Sequence, residues 1–396
     1  MRDAFPCPAC GGMRTRPFHD ESGVPTNSCL LLAERGEAEA YPRGDIDLRF
    51  CTACGFVANA AFDVGLSEYS SRYEETQGFS PRFMDFARDL AKQWVEKYRL
   101  HDRTVLEIGC GKGEFLELMC EAGVGRGIGI DPSAHPERRQ SEAASRIEWI
   151  TDFYSEKYAD IEADAVVCRH TLEHIQPVGD FMRTVRAAIG DRTETVVLFE
   201  LPDVKRVLDE VAFWDVYYEH CSYFSAGSLA RLFRATGFEV LDVSLDYDDQ
   251  YLLIEARPVP AGQPVGGRPF PIEDDLAALG RAVSHFSRTY TDTLATWRGQ
   301  VRDVRQQGGR AVIWGAGSKG VAYLTALGLD DDIEYAVDIN PHKRGMFMAG
   351  TGQEIVSPDF LVEYRPDLVV VMNPVYVEEI ERDLARLGLT PELVSV

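Results

Sequence analysis

The sequence predicts an α/β protein: two sheets of parallel strands behind a small cysteine-rich module. Three observations predict it. Strand, glycine turn and helix follow one another at 105–122 and again from 310 onward, each with an aspartate at a strand end about 20 residues after the turn. Two C-x-x-C knuckles, Cys7–Cys10 and Cys51–Cys54, stand ahead of both units. At 396 residues the chain exceeds one ordinary core. The expected division is 1–66 for the cysteine module, 67–257 for the central domain, and 258–396 for a long helix plus the last domain.

The cysteines come first in the chain. Five of nine lie within the first 54 residues, and a protein expected in the cytoplasm does not use them as disulfides. Cys7, Cys10, Cys51 and Cys54 supply four thiolates for a closed tetrahedral zinc site of structural type, each knuckle followed by a glycine. The 40 residues between the knuckles are more than paired knuckles usually enclose, so an excursion must loop out. Cys29 lies in it and is expected to be buried rather than a fifth ligand. Four reduced core thiols without metal are the alternative.

After a polar and aromatic stretch, 62–80, expected either as a lid or as an inert linker, a helix is predicted over 81–98. The strand Thr104–Ile108 then enters Gly109-Cys-Gly-Lys-Gly113. Glycines let the backbone approach a nucleoside, and Asp131, ending the next strand, can accept from ribose hydroxyls. Glu107 precedes the turn, in an E-x-G-x-G-x-G run without a third glycine at dinucleotide spacing. That run resembles the first motif of S-adenosylmethionine-dependent methyltransferases, and a carboxylate suits a cationic sulfonium cofactor better than a pyrophosphate. The fold expected is therefore the class I S-adenosylmethionine methyltransferase sheet, Rossmann-like, between a zinc module and a second Rossmann-like domain. The strand Ile147–Ile150 leads to Asp152-Phe153, which resembles the adenine-binding pair of this fold.

The strand beginning at Asp164 ends in Arg169-His-Thr-Leu-Glu-His174, and ligands bind beyond the carboxyl ends of such strands, so His170, Glu173 and His174 belong near the site. Strands at 238–245 and 251–256 around Asp246-Tyr-Asp-Asp249 read as an antiparallel hairpin. The densest chemistry is Trp214-Asp-Val-Tyr-Tyr-Glu-His-Cys-Ser-Tyr-Phe-Ser225, just before a helix that Ser225 can cap. There His220, flanked by Tyr217, Tyr218, Glu219 and Tyr223, is a candidate base whose pKa a neighbouring carboxylate would set, with tyrosine hydroxyls as donors to an oxyanion. The alternative is a hydrogen-bonded aromatic loop that supports the fold.

A Pro/Gly-rich segment, 257–269, marks a domain edge. Apolar residues three or four apart from Leu276 to Val304 then predict one helix of about 30 residues. Its stripe is expected to pack on the flanking domains, with a coiled-coil dimer as the alternative. Gly315-Ala-Gly-Ser-Lys-Gly320 with Asp338 meets the dinucleotide fingerprint, so an NAD-binding oxidoreductase or a bifunctional enzyme is the rival reading. Too few residues follow for a complete dinucleotide fold and a catalytic domain. Ser318, Lys319 and the amides around Gly317 could instead hold the diphosphate of a nucleotide-linked substrate.

Together these features resemble the sugar C-methyltransferases of deoxysugar biosynthesis, over essentially the whole chain. The motifs are the knuckles, E-I-G-C-G-K-G, T-L-E-H-I at 171–175, Y-Y-E-H-x-S-Y-F-S at 217–225 and W-G-A-G-S-K-G at 314–320. The resemblance implies His220 as base, with Tyr217, Glu219 and His174 beside it. It implies S-adenosylmethionine on Glu107, Gly109, Gly111, Gly113, Asp131, Asp152, Phe153 and His170, and the acceptor on Tyr73, Tyr218, Tyr223, Ser318 and Lys319. The implied acceptor is a 4-keto deoxysugar on a nucleotide diphosphate. Two positions depart from the family: Tyr218 replaces the first histidine of Tyr-His-Glu-His, and Tyr73-Glu-Glu-Thr-Gln-Gly78 replaces a Tyr-His-Ser lid. The same scaffold could methylate oxygen, nitrogen or another activated carbon.

Composition narrows the partners. Sixty-four acidic against 41 basic residues give a net charge of −23, without a basic run, which excludes nucleic acid as acceptor. No apolar run approaches the ~20 residues that span a bilayer. No apolar signal core follows Met1. A cytoplasmic monomer or homodimer acting on a small molecule is expected.

Overall fold

The computed structural model describes residues 5–329 and 332–396. At the N-terminus, β1 (Thr15–Pro25), β2 (Arg43–Cys51) and β3 (Val57–Asn59) form an antiparallel sheet, with Thr15 opposite Cys51. Both knuckles fold alike: the Gly11 amide donates to the Cys7 carbonyl, and the Gly55 amide to that of Cys51, at 2.8 and 2.9 Å. Closing so tight a turn puts Gly11 and Gly55 at φ 70° and 83°, which is why a glycine follows each knuckle. Cys29 is buried.

The central domain adds β4 (Thr104–Ile108), β5 (Arg126–Ile130), β6 (Ile147–Ile150), β7 (Ala165–Arg169), β8 (Val196–Pro202), β9 (Ser222–Tyr223), β10 (Phe238–Asp246) and β11 (Tyr251–Pro258). All but β9 share one sheet, in the order β10-β11-β8-β7-β4-β5-β6. β4 to β8 run parallel, and β11 alone enters against its neighbours, antiparallel to both β8 and β10. This strand order, with an antiparallel strand inserted near one edge, is the class I methyltransferase sheet. A dinucleotide sheet is mostly parallel, in the strand order 3-2-1-4-5-6.

The parallel strands are buried on both faces, so they read as unbroken apolar runs. Val196 and Leu198 of β8 pack on one side with Trp94 and Phe115, while Val197 and Phe199 pack on the other with Val185 and Phe233. The helix Pro81–Tyr98 starts at an N-cap on Ser80, and Ala226–Ala235 at a capping box formed by Ser225 and Ser228. The hairpin turn holds Tyr247, Asp248 and Asp249 in the left-handed region.

β9 leaves this sheet and pairs with β3, so the N-terminal sheet takes its fourth strand from the segment carrying His220. The long helix spans Leu276–Gln306. Its stripe packs within the chain: Leu279, Val283 and Phe286 join one core with Val207 and Phe213. Tyr290 donates to Glu21 Oε1 at 2.7 Å, and the Ser287 hydroxyl donates to the Phe18 carbonyl. Phe286 is fully buried where three parts of the chain meet. Phe286→Ala is therefore expected to destabilise by about 3–5 kcal/mol, read as a lowered urea midpoint at unchanged slope.

The last domain holds β12 (Ala311–Trp314), β13 (Ile333–Val337), β14 (Glu354–Val356), β15 (Leu368–Val371) and β16 (Glu392–Ser395). All are parallel, in the order β14-β13-β12-β15-β16. With helices packed on both faces of these five strands, it is a doubly wound unit. Among the described residues no helix is long and apolar enough to cross a membrane.

Candidate active site

Beyond the carboxyl end of β4 the chain turns through Gly109, Gly111 and Gly113, at φ 71°, 51° and 77°. A Cβ at these positions would lie 2.0 Å from Thr171 Oγ1, 2.6 Å from Glu75 Oε1 and 2.1 Å from the Trp149 ring. The glycines are thus needed for conformation and for space alike. The Gly111 amide donates to Asp131 Oδ2 at 2.9 Å, and Ser133 donates twice to Oδ1. Glu107 is buried with Oε2 unpartnered. Burial pushes its carboxyl up to about 8, although the Arg169 guanidinium pulls the other way. A cradle only glycine can line, beside a buried carboxyl short of a partner, fits a nucleoside whose other end is cationic.

Asp152 accepts from Tyr158 and pairs with Lys157, which holds its carboxyl down at about 2. Phe153 is 60% exposed and presents an edge to Tyr69. His170 takes φ 47° at the end of β7, with Nε2 2.7 Å from Glu200 Oε1 and Nδ1 3.6 Å from Glu173 Oε1. Burial opposes charge on this ring, but Glu173 and Glu200 overcome it and push it up to about 9.

The loop before β9 brings His220 to line a small cavity with Glu173, Asp215 and Tyr223. His220 Nε2 lies 3.1 Å from the Tyr217 hydroxyl, and its ring meets that of His174 edge-on at 4.8 Å. Burial, with His174, His170 and Lys319 near, holds the imidazole well below its usual range, so it rests neutral. His174 Nδ1 is 2.9 Å from the Tyr69 hydroxyl and 3.1 Å from the Glu219 carbonyl.

Two expectations are corrected here. Glu219 does not flank the imidazole: its carboxylate accepts from Asn27 Nδ2 and the Ser28 amide, each at 3.0 Å, and so fastens the excursion between the knuckles to this loop. The carboxylate nearest the ring is Glu173, at 4.0 Å. Tyr218 does not face the cavity: it sits in the turn that the His220 amide closes by donating to the Tyr217 carbonyl, and its ring points away. It packs on Gly44 and Phe62, with its hydroxyl on the Asp63 backbone.

The stretch 62–80 lies across the cofactor turn. Lys112, within the glycine run and 1% exposed, donates to the carbonyls of Tyr73 and Ser133 and lies 3.4 Å from Glu75 Oε2. Glu74 accepts from Arg138 of the central domain and Asn340 of the last domain. Burial pushes Tyr69 and Tyr73 well above the usual tyrosine range, so both stay protonated. Lys112, Glu74 and Glu75 escaped the sequence reading: charge in a loop looks solvated unless its partner is known. Only the place of Lys112 between two glycines was a signal.

In the last domain Asp338 repeats the Asp131 arrangement, accepting from the Ala316 amide and from Lys343 Nζ at 3.1 Å each. The expected diphosphate ligands diverge. Ser318 Oγ is 3.4 Å from Cys29 Sγ, whereas Lys319 pairs with Asp215, which Arg206 also holds.

At the other end of the N-terminal sheet, the sulfurs of Cys7, Cys10, Cys51 and Cys54 all lie within 4.8 Å of one another. Cys7–Cys54 is 3.6 Å and Cys10–Cys51 3.7 Å. Tetrahedral Zn–S bonds of ~2.3 Å give S–S edges of ~3.8 Å, so the four thiols fit that ion.

Comparison with known proteins agrees with this geometry. Residues 80–243 match a family model described as a methyltransferase domain, and 278–389 one described as a C-methyltransferase C-terminal domain. The C-methyltransferase NovU of Streptomyces niveus is 28% identical over 366 residues, 88% of this chain and 85% of that one. Among solved structures, the magnesium protoporphyrin IX methyltransferase of Synechocystis PCC 6803 aligns at 14% identity, covering 45% of this chain and 84% of that one, with a TM-score of 0.34. The 1,6-didemethyltoxoflavin-N1-methyltransferase of Burkholderia thailandensis aligns at 16%, covering 44% and 78%, with a TM-score of 0.33. The glycine turn at 315–320 thus lies in a domain type found in C-methyltransferases, which turns the choice away from the oxidoreductase. The chain is an S-adenosylmethionine-dependent methyltransferase, and its two matched regions and its NovU relative make it similar to the C-methyltransferases.

Proposed function

We propose that the enzyme methylates the carbon beside the ketone of a 4-keto deoxysugar carried on a nucleotide diphosphate, with His220 as the base. The observation that carries the reading is a buried imidazole lining a small cavity with Glu173 and Tyr223, in a chain similar along most of its length to a C-methyltransferase. A cofactor held by Glu107, Asp131 and the three glycines supplies an electrophilic methyl group. His220 removes the proton, the C–H electron pair becomes the enolate double bond, and Tyr217 donates to the developing oxyanion. Asp152 and Phe153 contribute to the adenine side, and His170 closes the cofactor pocket. Tyr73 and Tyr223 bound the acceptor. Lys319, released from Asp215, and the amides at Gly317 receive its diphosphate. Cys7, Cys10, Cys51 and Cys54 hold structural zinc and take no part in the chemistry.

Incubation with S-adenosylmethionine and a nucleotide-linked 4-keto deoxysugar should add one methyl group at carbon, seen by mass spectrometry and carbon NMR. Methyl found only on oxygen or nitrogen would replace this reading. Asp131→Ala should weaken S-adenosylhomocysteine binding ~10–100-fold in calorimetric titration, because hydrogen bonds to a charged group are lost. Unchanged affinity would remove Asp131 from the ribose site.

A further inference from the structure

Glu173 is the buried carboxylate that the mechanism above does not use. It is 2% exposed, both its oxygens lack a hydrogen-bond partner, and it lines the same cavity as His220. Its Oε1 lies 4.0 Å from His220 Nε2 and 3.6 Å from His170 Nδ1, between the two rings. A buried carboxylate without hydrogen bonds is costly, and a fold keeps one where a counter-charge stands beside it or forms during turnover. His170, pushed up to about 9, is the resident counter-charge. The charge that forms during turnover is the one on His220.

We propose that Glu173 is a positioning residue for the base: it holds the Nε2 proton of His220 towards itself and Tyr217, leaves Nδ1 to take the proton from carbon, and balances the imidazolium that results. The inference rests on the proposed function. The step balances without an added reactant. The proton passes from the carbon next to the ketone to Nδ1, the C–H pair becomes the enolate, and the ketone oxygen gains the negative charge. The positive charge of the ring is then paired with Glu173 rather than stranded near His170 and Lys319. After methyl transfer the proton leaves Nδ1 for water. The groups that face the pair are His170 from the end of β7, His174 from the turn after it, Tyr69 from the lid, Asp215, Tyr217 and Cys221 from the segment before β9, Tyr223 from β9, and Lys319 from the last domain. Of these, the three cationic or basic groups disfavour the imidazolium, and Glu173 is the carboxylate nearest the ring.

The test compares Glu173→Gln and His220→Ala with the wild-type enzyme, each holding S-adenosylhomocysteine. Exchange of the proton next to the ketone is followed in D2O by NMR, using a nucleotide-linked 4-keto deoxysugar as probe, and kcat/KM for methyl transfer is followed against pH. Glu173→Gln should bind S-adenosylhomocysteine as the wild type does and slow exchange ~100-fold, the scale of a mispositioned base. Its acid limb should move to lower pH, because the imidazolium has lost its anion, and Glu173→Asp should recover part of the rate. Glu173→Gln with wild-type exchange and pH profile overturns the inference, as does a slower rate with an unmoved acid limb, the mark of a merely structural role. If His220→Ala itself still exchanges the proton at the wild-type rate, the proposed base is wrong, and that failure is separate from the first.

Discussion

Replacing His220 by alanine should lower kcat ~10²–10⁴-fold, the range over which a positioned base acts, while S-adenosylhomocysteine binds as before. The ring is placed by contacts that do not reach the cofactor turn: the Tyr217 hydroxyl, the edge of His174 and the wall formed by Glu173. Its removal therefore takes away a proton acceptor without disturbing Gly109–Gly113 or Asp131. Few groups could replace it. His170 is held protonated by Glu173 and Glu200, and the nearby tyrosines stay protonated. Initial rates and calorimetric titration on the same preparation check both halves. A variant that retains most of its rate would return the loop 214–225 to a supporting role.

Cys54→Ser should cost the protein one equivalent of zinc and much of the order of its N-terminal sheet. Closed thiolate sites in small zinc peptides contribute ~10–16 kcal/mol to folding, whereas the buried residues of β1 to β3 share their core with the rest of the chain. Here the loss should be smaller, because β3 also pairs with β9 and the central sheet does not need the metal. Activity should nevertheless fall together with the zinc. The excursion between the knuckles supplies Asn27 and Ser28 to Glu219, next in sequence to His220, so a loosened module releases the base. Metal analysis, thermal melting and rate measurement on the variant follow all three. Full metal content with an unchanged melting curve would show that the thiols hold no ion.

Local signals were legible in the sequence wherever one short segment carries its own explanation. The strand Thr104–Ile108, the hairpin around Asp246–Asp249 and the cap at Ser225 depend on periodicity, turn chemistry and one side chain each. Tyr218 was misplaced because the motif that suggested it does not show that its ring packs on Gly44 and Phe62, far earlier in the chain. Glu219 was misplaced because its partners, Asn27 and Ser28, lie some 190 residues earlier.

By itself the sequence determined the two sheets, the cradle of three glycines, the carboxylates at the strand ends and the two pairs of thiols. Each depends on backbone conformation or on spacing within a few dozen residues, and those are written in residue order. Only the tertiary structure decided which charges are buried and against what. It laid Glu75 on Lys112 at the cofactor turn and Glu74 on Arg138 and Asn340, and it aimed Glu219 at the N-terminal module and Glu173 at the imidazole. Burial and long-range pairing set the energy of a charge, and neither exists until segments far apart in the chain have packed together.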